Sequence, residues 1–177
     1  MNRTSYLKEI ANSLLQLAML RDYIPDKCEI NIQNLFDDIS QTIKMQLNEA
    51  GINFICKNDA NTLYGQEDLI KSLLLNLCLN AIKACSPNES IIFMEAKNEN
   101  EGTTLSVRDN GCGIPADSLS KVTEPFYRVD KARSKKQGGA GLGLALCQKI
   151  AEAHGAKMVI ESTVGVGTAV KITFTSS

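Results

Sequence analysis

The chain has 177 residues, a formal net charge of −1 and six cysteines. That is enough for one domain with a proper core plus an appended element, and so even a charge balance gives no reason to expect nucleic acid or an anionic membrane surface as partner. No apolar run of about 18 residues and no signal-peptide pattern occurs. Cys28, Cys56, Cys78, Cys85, Cys112 and Cys147 lack paired metal-ligand spacing, so they read as free thiols in a reducing cytoplasm rather than as zinc ligands or disulfides.

From the start of the chain, Leu7, Ile10, Leu14, Leu17 and Ile24 recur at spacings of three, four, three and seven. Such a narrow coiled-coil-like seam is too short for a rod. It reads either as a helix packed on the domain or as the end of a longer helical hairpin, with residues 21–27 as a linker. Residues 29–32 form a strand candidate. Asn34 is expected to cap a helix with Leu35, Ile39, Ile43, Leu47 and Ala50 on one face, and Gly51 to end it. Residues 53–56 and 62–64 read as strands around an Asn-Asp turn.

The predicted helix over residues 66–85 is apolar on nearly every side, from Leu69 and Ile70 to Ile82 and Ala84. One polar stripe crosses it, Ser72, Asn76, Asn80 and Lys83, spaced so that all four project from the same side. A solvent-facing stripe is the plain reading. Asparagine is a poor helix former, however, and glutamate or lysine serves water better, which favours a ligand floor. Amide oxygens there suit a divalent cation such as Mg²⁺, which takes few protein oxygens beside phosphate, and Lys83 suits phosphate.

Residues 90–97 and 103–108 alternate as a hairpin. The second strand delivers Asp109-Asn110-Gly111-Cys112-Gly113-Ile114-Pro115, a carboxylate before glycines that permit close backbone approach. Alone, it reads equally as an Asp-Asn-Gly turn. Residues 116–137 have little periodicity. They hold the island Glu124-Pro125-Phe126-Tyr127-Arg128 and the basic residues Lys131, Arg133, Lys135 and Lys136, a composition that predicts a lid.

Four glycines lie within Gly138-Gly139-Ala140-Gly141-Leu142-Gly143, ahead of an apolar helix over 142–153. Glycines let successive N–H groups point at one ligand, and a helix start favours anions, so phosphate is the leading candidate. A dinucleotide-binding turn is the rival. It fails because Leu144 stands where a third glycine belongs and because the basic stretch 131–137 cannot be a buried parallel strand. His154, the sole histidine, ends the helix before Gly155 and reads as structural. Residues 157–161 and 168–174 form a closing hairpin, with the Thr168 hydroxyl able to reach the same site.

These segments, in this order, resemble the ATP-binding catalytic domain of sensor histidine kinases, within the superfamily that includes DNA gyrase, the mismatch-repair MutL proteins and the large heat-shock chaperones. Residues 76–83 look like its N box, 109–114 like its G1 box, 124–128 like its F box and 139–144 like its G2 box. The resemblance implies an α/β (α+β) two-layer sandwich, the Bergerat fold, in which a mixed, mostly antiparallel sheet of about five strands is covered by three helices on one face. It implies ATP and Mg²⁺ as cofactors. Asp109 would accept a hydrogen bond from the adenine amino group, supported by Thr168. Asn80 would hold Mg²⁺ with Asn76 close to it, Lys83 would bind phosphate and Arg128 would approach the γ-phosphate. Gly111, Gly113, Ile114 and Phe126 complete the expected nucleotide contacts, with Gly139, Gly141, Leu142, Gly143 and Leu144 along the triphosphate.

In ATP-hydrolysing relatives a glutamate one turn before the metal-binding asparagine activates water. Asn76 stands at that position, and an amide is no base at neutral pH, so transfer to a protein side chain is expected over hydrolysis. The alternatives are a nucleotide-binding switch module and a serine-kinase or ATPase member of the same superfamily. Residues 1–25 contain no histidine and are expected to be the remnant of a dimerisation and phosphoacceptor helix plus linker. Residues 26–177 would be the catalytic domain, with a lid at about 116–138. The expected partners are that phosphoacceptor domain, missing here, and a response regulator, with no nucleic acid. The expected location of this fragment is cytoplasmic, whether or not the full-length protein is membrane-anchored.

Overall fold

The computed structural model describes residues 3–20, 26–85, 90–129 and 140–175. In chain order the elements are α1 (Arg3–Met19), β1 (Cys28–Asn31), α2 (Ile32–Ala50), β2 (Asn53–Asp59), β3 (Thr62–Gly65), α3 (Glu67–Ala84), β4 (Ile91–Glu99), β5 (Gly102–Asp109), α4 (Gly143–Ala153), β6 (Lys157–Thr163) and β7 (Gly167–Thr175). Five strands make one mixed sheet in the order β2-β4-β5-β7-β6, with β2 parallel to β4 and every other neighbour antiparallel. β1 and β3 form a separate antiparallel ribbon.

Periodicity explains the layering. In β4 the even positions Ile92, Met94 and Ala96 are buried while the odd ones are partly exposed, and Met94 and Ala96 lie opposite Val107 and Leu105 of β5. This face receives the helices: α2 packs on β2, α3 on β4, β5 and β7, and α4 on β6. The seam of α2 is Ile32, Leu35, Phe36, Ile39, Ile43 and Leu47, all buried. α3 buries Ile70, Leu73, Leu74, Leu77, Cys78 and Ala81, and truncating Leu73 or Leu74 to alanine would cost about 2–5 kcal/mol. The fourth helix, α1, lies against α4. The side chains of Leu7 and Ile24 fall outside the described residues.

The expected two-layer sandwich is therefore present, with two local corrections. The cap of α2 is Asn31, whose side chain accepts from the Asn34 N–H at 3.0 Å. Asn34 is the donor of that bond, because a cap must precede the first turn. The second correction concerns the turn between the strands expected at 53–56 and 62–64: Asn58 and Asp59, expected in it, are the last residues of β2, and the chain turns at Ala60 and Asn61. β2 continues to Asp59 along β4, and Asn58 Oδ1 accepts from the Ala60 N–H at 3.1 Å, turning the chain toward β3 and its partner β1. Among the described residues, no helix is long and apolar enough to cross a membrane.

Candidate functional site

Strand alternation sets the acid in place. Asp109 shares the parity of Leu105 and Val107, so it points to the helix side where β5 ends, opposite Ile92 and Thr168. Its Oδ1 accepts the Gly111 N–H at 2.8 Å. Burial pushes the carboxyl above its ordinary value, and N–H groups of Gly111 and Thr168 pull it part of the way back. Ser162 ties the same corner together: its hydroxyl accepts from the Ile114 N–H at 2.8 Å, donates to the Gly167 carbonyl at 2.9 Å and pairs with Thr168 Oγ1 at 2.8 Å.

Two glycines make that corner possible. Gly113 has φ +70° and Gly167 φ +135°; a side chain on Gly113 would strike the Thr163 carbonyl, and one on Gly167 the Asp109 carbonyl. The turn after β5 and the β6–β7 hairpin are thus in backbone contact, and the Gly165 N–H donates to the Cys112 carbonyl at 2.9 Å. Gly111 is pressed against the Ala84 carbonyl on the other side.

Two of the hollows beside this corner share walls with each other. One, of about 450 Å³, is bounded by Asp109, Thr168, Cys112, Gly113, Ile114 and Pro115, with Leu77, Ala81, Ala84, Val107 and Val170 as apolar wall. The other, of about 210 Å³, is bounded by Asn76, Asn80, Lys83, Ala140, Gly141, Leu142, Gly143 and Tyr127, and by Ile10 and Ser13 of α1. Asn80, Ile114, Val129 and Leu144 line both, so they form one continuous site with an acid and apolar end and an amide and ammonium end. Its size falls among small-molecule sites.

The polar stripe of α3 faces this site and α1. Ser72 hydrogen-bonds Gln16 of α1 at 3.3 Å. The Asn76 amide nitrogen donates to the Ser72 carbonyl at 2.8 Å, which leaves Oδ1 near Gly143, the first residue of α4. The N-terminal N–H groups of α4 therefore stand across the hollow from two amides.

Arg128 is half-buried, and among the described residues its buried Nη2 has no hydrogen-bond partner. Phe126 adopts φ 67° and donates its N–H to the Gly141 carbonyl at 2.9 Å. Neither side chain lines the hollows, and Phe126 is 60% exposed. Gly139 and residues 130–138 of the expected lid lie outside the described residues. No group of three or more His, Cys, Asp or Glu that could hold a metal occurs among the described residues, so a cation here would rest on amide oxygens and on its ligand. Ser162 escaped sequence reading, although it is the penultimate residue of β6 and lies directly opposite Thr168 of β7.

His154 lines neither hollow. Its Nε2 accepts the Gln66 N–H at 3.1 Å, Nδ1 donates to the Ile150 carbonyl at 2.8 Å, and its ring meets Phe174 edge-on at 6.0 Å. It pins the start of α3 to the end of α4.

Residues 65–177 match the family model described as histidine kinase-, DNA gyrase B- and HSP90-like ATPase. The sensor histidine kinase WalK of Bacillus subtilis is 36% identical over 98% of this chain, which spans 29% of that protein's length. The nucleotide-free catalytic domain of the histidine kinase ThkA is 25% identical with a TM-score of 0.73, covering 85% of this chain and 97% of that one. Full-length ShkA, solved with AMPPNP, shares the fold at a TM-score of 0.80 and 23% identity, over 97% of this chain and 36% of its own. The chain belongs to the histidine kinase-, DNA gyrase B- and HSP90-like ATPase family, and the relatives it matches are sensor histidine kinases.

Proposed function

We propose that this chain is the Mg²⁺-ATP-binding catalytic unit of a two-component sensor histidine kinase. It would pass the γ-phosphate to a histidine on a dimerisation domain outside these residues, from which a response regulator would draw it. The observation that carries this reading is the continuity of the two hollows through Asn80. A purine lodged against Asp109 and Thr168 has its phosphates directed toward Asn76, Lys83 and the start of α4.

At the base end, Asp109 accepts from the adenine amino group, which guanine replaces with a carbonyl, and Thr168 and Ser162 hold the acid's corner. Gly111 and Gly113 keep the turn close, and Ile114 and Leu144 supply apolar contact. At the phosphate end, Lys83 and the backbone of Gly141, Leu142 and Gly143 meet the oxygens. Asn80, with Asn76 beside it, fits Mg²⁺: hard amide oxygens suffice for an ion that keeps several waters and shares phosphate. Bound there, Mg²⁺ would neutralise charge developing on the transferred group. Arg128 Nη2 is a buried donor without an acceptor among the described residues, a costly arrangement that a γ-phosphate would relieve. Phe126 and Tyr127 carry it in the segment packed on Gly141.

None of the side chains named at the phosphate end is a base for water. Asn76 is an amide whose NH₂ is already committed to Ser72, which supports transfer over hydrolysis. Residues 1–25 fit the end of the phosphoacceptor hairpin and its linker, residues 26–177 the catalytic domain, and 116–138 its lid.

The test mixes the chain with γ-labelled ATP, Mg²⁺ and a histidine-bearing helical hairpin from a related sensor kinase. Acid-labile, base-stable label is expected on the hairpin and none on the chain. Free phosphate without hairpin label would favour an ATPase, and acid-stable label on a partner serine the switch-type kinase.

A further inference from the structure

The end of α3 and the turn after β5 are in direct contact, and a cysteine stands on each side. The Cys112 N–H donates to the Ala84 carbonyl at 3.0 Å. A Cβ on the neighbouring Gly111 would stand 2.6 Å from that same carbonyl oxygen. The next residue after Ala84 is Cys85, the C-cap of α3. A disulfide needs Cα atoms roughly 4.4–6.8 Å apart, and a hydrogen bond into the carbonyl just before Cys85 holds the two cysteine backbones at about that separation.

The surroundings suit oxidation from solvent. Cys112 is exposed and lines the acid end of the site, while Cys85 is partly buried. Burial pushes the Cys85 thiol up, a hydrogen bond with Ser90 opposes this, and the charges of Asp109 and Cys112 add to it. Cys78 and Cys147, by contrast, are sealed in the core.

We propose that Cys85 and Cys112 are a reversible thiol–disulfide pair, oxidised by small hydroperoxides, which fixes the turn following Asp109 onto the end of α3 and weakens nucleotide binding. In the first step the Cys112 thiolate attacks a peroxide oxygen. The O–O bond breaks, the leaving alkoxide or hydroxide takes up a proton, and Cys112 becomes a sulfenic acid. The Cys85 sulfur, losing its proton, then attacks the Cys112 sulfur; the S–S bond forms and hydroxide leaves as water. Two thiols and one hydroperoxide give one disulfide, one alcohol or water from the peroxide, and one water. The sulfurs of the bond must meet, so the Cys112 side chain is drawn from the wall it lines toward α3, and the Asp109–Gly111 hydrogen bond moves with it. The cross-link stands on the geometry alone, whereas its effect on affinity rests on the nucleotide reading above.

The whole chain, reduced and freed of reductant, is treated with hydrogen peroxide, alkylated and digested without reductant. The expected map shows a peptide pair joining Cys85 to Cys112, with two hydrogens lost per chain, reversed by dithiothreitol. A fluorescent ATP analogue is expected to bind at least fivefold more weakly after oxidation and to recover on reduction. Cys85→Ser, compared with itself before and after peroxide, is expected to show no such change. Bridges between other cysteines, or Cys112 oxidised without joining Cys85, would overturn the pair. A Cys85–Cys112 bridge with unaltered affinity would overturn the switch. A reduced chain that binds no nucleotide would overturn the switch together with the nucleotide reading, while the peptide map still decides the cross-link.

Discussion

A methyl group on Gly143 would stand 3.1 Å from Asn76 Oδ1 and 3.5 Å from Asn80 Nδ2. The first residue of α4 and the two amides of α3 thus face each other across a gap that one carbon would occupy. Gly143→Ala separates stability from binding. Alanine is the better helix former by about 0.5–1 kcal/mol, and the tight contact takes back some of that, so the melting midpoint should stay close to that of the wild type. The phosphates and their cation lose their space, so nucleotide affinity should fall at least tenfold. Calorimetric melting and nucleotide titration on the same sample check both halves, and normal binding by the variant would move the phosphates elsewhere.

Asp109 gives a prediction with a pH sign. Burial raises its carboxyl above the ordinary 3.8 in the free protein, while accepting a hydrogen bond from an adenine amino group favours the ionised form and lowers it in the complex. Binding therefore selects the carboxylate: affinity is full above the raised value and falls as pH drops through it. Asp109→Asn should weaken adenosine nucleotide binding by about 1–3 kcal/mol and flatten this acid limb. Titrations of both proteins from neutral to acid pH, with the nucleotide's own protonation common to both, isolate the difference.

Much of this was legible in the residues because it is local or periodic. The stripe Ser72, Asn76, Asn80, Lys83 needs only helical geometry to share a side, and alternation along β4 and β5 is enough to assign the buried face. Pairing is different. Nothing near Asn58 and Asp59 says that their strand lies parallel to β4, whose residues follow more than thirty positions later. Ser162 was invisible for the same reason, since its role comes from three partners on other segments. The contact of Ile10, Ser13 and Gln16 with the amide end depends on how α1 docks, which the seam spacing does not encode.

Arg128 should separate folding from function in the opposite sense to a core residue. Its buried Nη2, without a partner among the described residues, is a desolvated donor that costs free energy in the nucleotide-free chain. Arg128→Met, of similar length and apolar, should leave the apo protein as stable or slightly more so, and should lower phosphotransfer to an added histidine hairpin at least tenfold. Urea midpoints and transfer rates measured side by side check this. A clear loss of stability would mean that the guanidinium is satisfied within the fold.

His154 makes the acid side of the stability curve predictable. In the fold its ring is neutral, with Nδ1 donating to Ile150 and Nε2 accepting from Gln66; protonation would turn Nε2 into a donor facing another donor. Burial, foremost, lowers its pKa below the ordinary 6.5, against the pull of the Ile150 bond. The unfolded chain therefore takes up a proton first as pH falls. The histidine's contribution is complete above pH 6.5 and drains away from there down to the depressed folded value. His154→Phe leaves the Gln66 N–H without its acceptor, a loss of about 1–3 kcal/mol at neutral pH, and removes the titration. Denaturant unfolding between pH 7.5 and 5 should thus show the wild-type midpoint dropping more steeply than the variant's, the two curves converging toward acid. Parallel curves would mean that the ring takes up its proton in the fold at the same pH as in the unfolded chain, so that the Gln66 contact does not hold it neutral.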